Sequence, residues 1–120
     1  MKNCLLVMIG GGLGAVLRYI VTSVLQQHLN IKHWATFCVN ISGCFMIGLL
    51  FGILTITGNY YFNLIIIGLI GSYTTFSAFE YENIDLIAHE KYAEFLKYAV
   101  SSCLFGFLAV LAGTYCAKLL

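Results

Sequence analysis

Four long apolar stretches occupy almost the whole chain and are separated only by short polar segments. They run over about residues 3–27, 34–57, 62–90 and 95–118. A helix of about 20 residues crosses the ~30 Å of hydrocarbon in a bilayer, so each stretch is long enough to span it. In the first stretch, Gly10 and Gly14 form a step of small residues at which another helix can come close. The pattern predicts an all-α membrane protein with four transmembrane helices in a single domain.

The composition supports a membrane protein and argues against several other classes. Of the 120 residues, 61% are hydrophobic and only 9% are charged, whereas roughly a quarter of a soluble domain is charged. The net charge of +1 gives no reason to expect a nucleic acid as a partner. We therefore expect a multi-pass protein of the cell (inner) membrane, in contact with the lipid bilayer.

The third apolar stretch contains an interruption between residues 68 and 80. Glycines, threonines, serines and phenylalanines crowd into about three helical turns there. Threonine and serine compete for backbone hydrogen bonds and glycine weakens a helix, so this span is predicted to break over residues 71–75. Non-helical backbone at membrane depth must be shielded by protein, and four helices alone give too little cover. The break therefore predicts a dimer in which each subunit covers the other.

The interruption carries groups that suit two kinds of ion. Backbone carbonyls freed by a broken helix and facing their symmetry mates make a cation site, as they do in other discontinuous helices. The edges of the nearby phenylalanine rings are the positive part of the ring quadrupole, and they favour an anion. The pattern is typical of a protein that binds ions, and it names neither ion.

Two other spans carry polar residues at helical spacing. Thr36 and Asn40 lie one turn apart in the second span, where an unsatisfied amide costs several kcal/mol. Asn40 is either an interhelical hydrogen-bonding residue or a donor aimed at a permeating solute. In the fourth span, Tyr98, Ser102 and Gly106 follow each other at four-residue steps. That stripe lines a path or forms a close-packing seam.

The charged residues near the spans allow more than one interpretation. Arg18 lies within the first span, where it extends to the far interface, faces a watery entrance that attracts anions, or does both. Glu80, Glu82 and Asp85 follow the interruption in the third span. Because these acids are not confined to one helical face, we expect a solvated rim and no metal cluster.

The basic residues outside the spans show almost no preference for one side of the membrane. Four spans place both termini on one side, with Lys2 and Lys118, and leave Lys32, Lys91 and Lys97 on the other. Positively charged loops normally fix the orientation of a membrane protein. A chain with so little bias can insert in either orientation, which predicts an antiparallel, dual-topology homodimer.

Three segments, one in each of the first three spans, match a known pattern. They are Gly11-Gly12-x-Gly14-Ala15-x-x-Arg18-Tyr19, Thr36-x-x-Val39-Asn40-x-x-Gly43-x-Phe45-x-x-Gly48 and Gly68-x-x-Gly71-x-x-Thr74-Thr75-Phe76-Ser77-x-Phe79. In this order and at these spacings they resemble the Fluc (CrcB-type) fluoride channels. The resemblance implies passive export of fluoride by an antiparallel homodimer with two pores, and no enzymatic activity.

The resemblance also implies roles for individual residues. A structural sodium ion at the dimer centre would be held by the backbone carbonyls of Gly71 and Thr74. Arg18 and Glu82 would lie in a vestibule or toward a pore end. The remaining positions would bind fluoride or line its polar path, and they are Asn40, Phe76, Phe79, Thr36, Ser77, Tyr98 and Ser102.

The chain departs from the family pattern at three positions, and two other functions stay open. Ala78, Ser72 and Gly106 replace residues that are frequent in the family, and Gly106 removes a hydroxyl from the end of the polar track. A small dual-topology multidrug exporter needs a carboxylate within a span, and the first span offers only Arg18. A scaffold subunit without transport activity would need neither the break nor the Thr36–Asn40 pair.

Overall fold

A computed structural model describes residues 2–28, 32–57 and 59–119, and these are helical almost throughout. The side chains of Lys32 and of residues 52–57 and 59 lie outside this description. In chain order, the elements are α1 (Lys2–His28), α2 (Lys32–Thr57), α3 (Asn59–Tyr61), a π-helix (Phe62–Ile70), α4 (Gly71–Tyr73), α5 (Phe76–Ala88) and α6 (Tyr92–Leu119).

Four helical segments are long and apolar enough to cross a membrane. They are Lys2–His28, His33–Phe51, Phe62–Ala88 and Tyr92–Leu119. Large apolar side chains are exposed along α1 and α6, as expected where lipid takes the place of water around the protein. The predicted all-α fold with four transmembrane helices, the third of them broken, is confirmed for the described part of the chain.

The third span changes its helical type before it breaks. It starts as a nine-residue π-helix, which is unusual because π-helical segments are mostly single turns at functional sites. The amide of Gly71 still reaches the carbonyls of Ile66 and Gly68, so the helix continues through α4. It ends at Thr74 and Thr75, whose ψ angles of 158° and 117° are extended.

The break is shorter than the sequence predicted. Residues 71–73 remain helical, because the amide and the side-chain hydroxyl of Thr74 both donate to the carbonyl of Ile70 at 3.1 Å. The interruption is therefore limited to Thr74 and Thr75 within the predicted range of 71–75. Helix α5 then starts with Thr75 as its N-cap, whose hydroxyl accepts a hydrogen bond from the amide of Ala78 at 3.2 Å.

Glycines bring the spans close enough for their backbones to touch. A Cβ atom added at Gly10 would meet the carbonyl of Leu64, and one at Gly14 would meet the carbonyl of Leu69. These two glycines therefore dock α1 directly on the π-helix, as their spacing predicted. Gly48 and Gly113 do the same between α2 and α6.

The buried interior lies where α2 meets the broken span. Val39 and Ile70 are fully buried, and Tyr73 is 5% exposed. The hydroxyl of Tyr73 also lies 3.0 Å from that of Ser42, which is two residues after Asn40 on α2. The end of α4, directly before the break, is therefore held against α2.

Candidate functional site

The backbone at the break is bound by the side chain of Asn40. Its Nδ2 donates to the carbonyl of Thr75 at 3.0 Å, and the amide of Thr75 donates to its Oδ1 at 2.8 Å. One carboxamide thus satisfies both polar backbone groups of a residue that no longer belongs to a helix. Asparagine suits this role because its side chain carries a donor and an acceptor side by side.

The other residue of the break is bound from α1. The guanidinium Nη1 of Arg18 donates to the carbonyl of Thr74 at 3.2 Å. The Arg18 side chain is partly buried and turns toward the break. Arg18 and Asn40 together replace the helical hydrogen bonds that Thr74 and Thr75 lack.

A cavity of about 290 Å³ lies beside the break, between α2, α5 and α6. Four of the predicted fluoride-path residues meet there. They are Asn40, Phe76, Phe79 and Ser102. Thr74, Thr75, Cys44, Ile47 and Cys103 complete its wall. Asn40 and Ser102 are 62 positions apart in the sequence, so the fold alone brings them together.

The two phenylalanines of the cavity differ in their surroundings. Their ring centroids are 5.8 Å apart, with planes inclined by 38°. Phe79 is buried at 8% exposure, whereas Phe76 is 74% exposed at the open side of the cavity. On the opposite wall, the hydroxyl of Ser102 is buried and has no hydrogen-bond partner within residues 2–28, 32–57 and 59–119.

A second polar cluster forms around Glu82. The hydroxyl of Thr36 donates to its Oε1 at 2.7 Å, and the hydroxyl of Tyr98 donates to its Oε2 at 2.6 Å. Thr36 and Tyr98 are each 3% exposed. The rings of Phe79 and Tyr98 lie 5.2 Å apart and join this cluster to the cavity. The two groups therefore form one continuous polar and aromatic track.

The expectation of a solvated acidic rim is right for Glu80 and Asp85 and wrong for Glu82. The first two are exposed, whereas Glu82 is partly buried with both carboxylate oxygens occupied. The reason is the helical register of α5, which turns position 82 toward α2 and α6 while positions 80 and 85 face outward.

Comparison with known proteins decides the family. The model of the family described as CrcB-like protein, Camphor Resistance (CrcB), matches residues 5–114. The chain belongs to the CrcB family. This confirms the resemblance inferred from the three sequence motifs, and it argues against the alternative that the chain is a multidrug exporter.

Relatives similar to this CrcB-family chain carry one descriptive name. A protein of Phocaeicola vulgatus, named fluoride-specific ion channel FluC, is 38% identical over 98% of this chain and 100% of its own length. A protein of Flavobacterium psychrophilum with the same name is 40% identical over 98% of both chains. A third, from Ligilactobacillus salivarius, is named fluoride-specific ion channel FluC 1 and is 36% identical over 94% of this chain and 97% of its own length.

Two departures from the CrcB-family pattern, at Ser72 and Gly106, lie in contact with neighbouring helices. The hydroxyl of Ser72 lies 3.2 Å from where a Cβ of Gly11 would be, so it packs against α1. A Cβ at Gly106 would lie 3.6 Å from the thiol of Cys44, an ordinary contact. At position 106, α6 therefore faces Cys44 and Ile41 of α2 and offers no hydroxyl to the polar track.

The remaining predicted path residue lies apart from the cavity. Ser77 is exposed, and its hydroxyl is 3.2 Å from that of Thr75, at the start of α5. Sequence reasoning also missed Asn83, which is 5% exposed and whose Oδ1 has no partner in the part of the chain that the structure describes. Its spacing of four residues from Phe79 was the available signal, because it places Asn83 on the same buried face.

Proposed function

We propose that this chain forms a fluoride-selective ion channel that exports fluoride passively across the cell membrane. The observation that carries the proposal is the cavity at the break, where an amide, a buried hydroxyl and two phenylalanine rings meet. The relatives named fluoride-specific ion channels, which align over nearly their whole length, support fluoride as the ion.

The cavity offers donors that can replace water around a small anion. An anion entering hydrocarbon loses its hydration, and this loss is prohibitive without new partners. Thr75 takes one of the two N–H groups of the Asn40 amide and leaves the second for an anion. Ser102 supplies a hydroxyl to the same cavity. The ring edges of Phe76 and Phe79 add a positive electrostatic contribution.

The Glu82 cluster supports a polar path toward one end of the pore. Thr36 and Tyr98 donate their hydroxyls to the carboxylate, and an arriving anion competes for the same two donors. Arg18 places a positive charge beside the break, which attracts anions toward the cavity. Ser77 supports the path indirectly, through its contact with the capping hydroxyl of Thr75.

The channel is proposed to be an antiparallel homodimer with two pores. The cavity opens to the outside of a single chain, and Phe76 at its open side is 74% exposed. Irregular backbone at membrane depth needs protein cover, which a second copy supplies. Two-fold symmetry repeats the cavity once in each subunit, and this gives two paths. A C-terminal reporter that is found on only one side of the membrane would contradict the dual topology.

A structural sodium ion is proposed for the dimer centre, held by the carbonyls of Gly71 and Thr74 from both subunits. Unwound carbonyls of discontinuous helices coordinate sodium in other membrane proteins. In the single chain the carbonyl of Thr74 accepts a hydrogen bond from the cationic Arg18, so a sodium ion at this oxygen would displace that donor or share the oxygen with it. One chain supplies only two such carbonyls, so the site requires the partner. The ion would supply positive charge that joins the two subunits.

Ion efflux from reconstituted liposomes tests the proposed function. Wild-type protein should release fluoride much faster than chloride under the same gradient. Phe76→Ile should slow fluoride release, because isoleucine has no ring edge to offer the anion. Phe107→Ile is the matched control, since Phe107 is 65% exposed on α6 and does not line the cavity. Equal rates for chloride and fluoride in the wild type would reject the proposal.

A further inference from the structure

A second, larger concave surface lies away from the ion path, and we name it the α2–α6 groove. It has a volume of about 560 Å³ and runs between the first turn of α2 and the first half of α6. Trp34 lines it at the end where α2 begins, and Leu104 lies at the other. Its volume is within the usual range for small-molecule sites, about 300–1,000 Å³.

The two ends of the α2–α6 groove differ in polarity. His33, Glu94 and Lys97 line the end near the helix termini, whereas Val100 and Leu104 line the inner end. From Lys97 to Leu104 the helix rises by about 11 Å, roughly a third of the ~30 Å hydrocarbon layer. The groove is therefore amphipathic along its length and starts at the expected level of the lipid headgroups.

The polar end carries one positive charge that has no counter-ion. Glu94 is paired with Lys91, with 3.7 Å between Nζ and Oε2. Lys97 makes no ion pair with any residue that the structure describes. An anionic group placed beside Lys97 would therefore meet an uncompensated ammonium, while apolar matter would fill the inner end.

We propose that the α2–α6 groove is a binding site for an anionic phospholipid such as phosphatidylglycerol. Its phosphate would lie at Lys97, and the upper part of one acyl chain would lie along Val100, Leu104 and Phe105. Charge complementarity selects the headgroup, because a net-neutral phosphatidylcholine gains less from a lone ammonium. Trp34 at the same level suits the interface, since tryptophan is enriched there in membrane proteins.

The bound lipid would contact the wall of the ion path. The ring of Tyr98 lines the groove and lies against the ring of His33, with the centroids 4.9 Å apart and the planes tilted by 45°. The hydroxyl of the same tyrosine donates to Glu82 at 2.6 Å. An occupant that presses on His33 and Tyr98 therefore acts on the Glu82 cluster. This regulatory step rests on the proposed function, whereas the lipid site itself does not.

Trp34 provides a direct readout of occupancy, because it is the only tryptophan in the sequence. The full chain is reconstituted in vesicles that contain increasing fractions of brominated phosphatidylglycerol or brominated phosphatidylcholine. Bromine quenches tryptophan at contact distance, so the concentration dependence gives the relative affinity of the two lipids. We expect tighter binding of phosphatidylglycerol by the wild type.

Charge variants locate the site. Lys97→Gln should lower the preference for phosphatidylglycerol on the order of fivefold, the effect expected for one lysine at an anionic surface. Lys118→Gln removes the same charge near the other end of α6, outside the groove, and should keep the wild-type preference. Glu94→Gln should raise the preference, because it removes the negative charge of the polar end.

The following results would overturn the proposed lipid site. Equal quenching by both lipids in the wild type, or an unchanged preference in Lys97→Gln, removes the role of the charge. A shift of Trp34 fluorescence by inorganic phosphate in detergent, equal to that caused by phosphatidylglycerol, identifies a simple anion site. Absence of quenching by either lipid rejects the lipid site, because no bound lipid then reaches Trp34 in the groove. Fluoride efflux measured in the same vesicles tests the regulatory step separately.

Discussion

Replacing Asn40 with leucine tests whether one side chain supports the broken helix. Leucine has a similar size but no polar group, so the amide and the carbonyl of Thr75 both lose their partner. A buried polar group without a partner costs about 1–3 kcal/mol, and because Thr75 is only partly buried we take the lower end, about 2 kcal/mol, for its two groups together. Domains of ordinary stability have only about 5–15 kcal/mol in total. Asn40→Leu should therefore remove a measurable part of the stability of the fold.

The assay measures the thermal midpoint of the detergent-solubilised protein, taken from the fraction that still elutes as a folded species at each temperature. For a chain of this size, 1 kcal/mol corresponds to a shift of about 4 °C, so the midpoint should fall by at least about 8 °C. Ser42→Ala is the matched control on the same helix, where the hydroxyl loses its contact with the hydroxyl of Tyr73 and its hydrogen bond to the carbonyl of Val39. It should cost about 1 kcal/mol. If Asn40→Leu melts within about 2 °C of the wild type, or no lower than Ser42→Ala, Thr75 does not depend on Asn40.

Three further predictions concern other contacts of the site and of the fold. Arg18→Gln should slow fluoride efflux and lower the free energy of unfolding by about 1 kcal/mol, because it leaves a neutral donor at the carbonyl of Thr74. Efflux at the wild-type rate together with an unchanged thermal midpoint would contradict this prediction. Glu82→Gln should slow fluoride efflux by about tenfold, which corresponds to about 1.4 kcal/mol in the barrier. The reason is that the glutamine amide nitrogen would face the hydroxyl of Thr36 or Tyr98, which donates to the carboxylate in the wild type. Efflux from liposomes at the wild-type rate would show that the Glu82 cluster is not part of the path. Gly14→Ala should destabilise the protein by about 1–3 kcal/mol because its Cβ meets backbone of the π-helix, whereas Gly12→Ala, which meets nothing, should be neutral or stabilising in the same thermal assay.

Much of the fold follows from local sequence. Apolar stretches of about 20 residues are visible without any knowledge of packing, because their length must match the bilayer. The close approach of Gly10 and Gly14 was equally readable, since small residues four positions apart form one face of a helix. The break could also be located from the local sequence, although the structure limits it to Thr74 and Thr75.

The partners of individual side chains could not be read in this way. The sequence identified Asn40 as a costly buried amide and left open whether it binds a helix or a solute. The structure pairs it with the amide and the carbonyl of Thr75, 35 residues away. Likewise, the spacing of the acids suggested a rim, and only the rotation of α5 against α2 and α6 directs Glu82 to Thr36 and Tyr98.

The sequence by itself determined the number of spans, the interruption of the third and, through three motifs, the family. These properties depend on the composition and spacing of neighbouring residues, because the hydrocarbon layer requires apolar segments of a set length with paired backbone polar groups. Only the tertiary structure decided that Arg18 and Asn40 hold the two sides of the break, and that the carboxylate of Glu82 lies inside the polar track. Hydrogen bonds between spans depend on the relative rotation and depth of the helices, and side-chain packing over the whole molecule sets both.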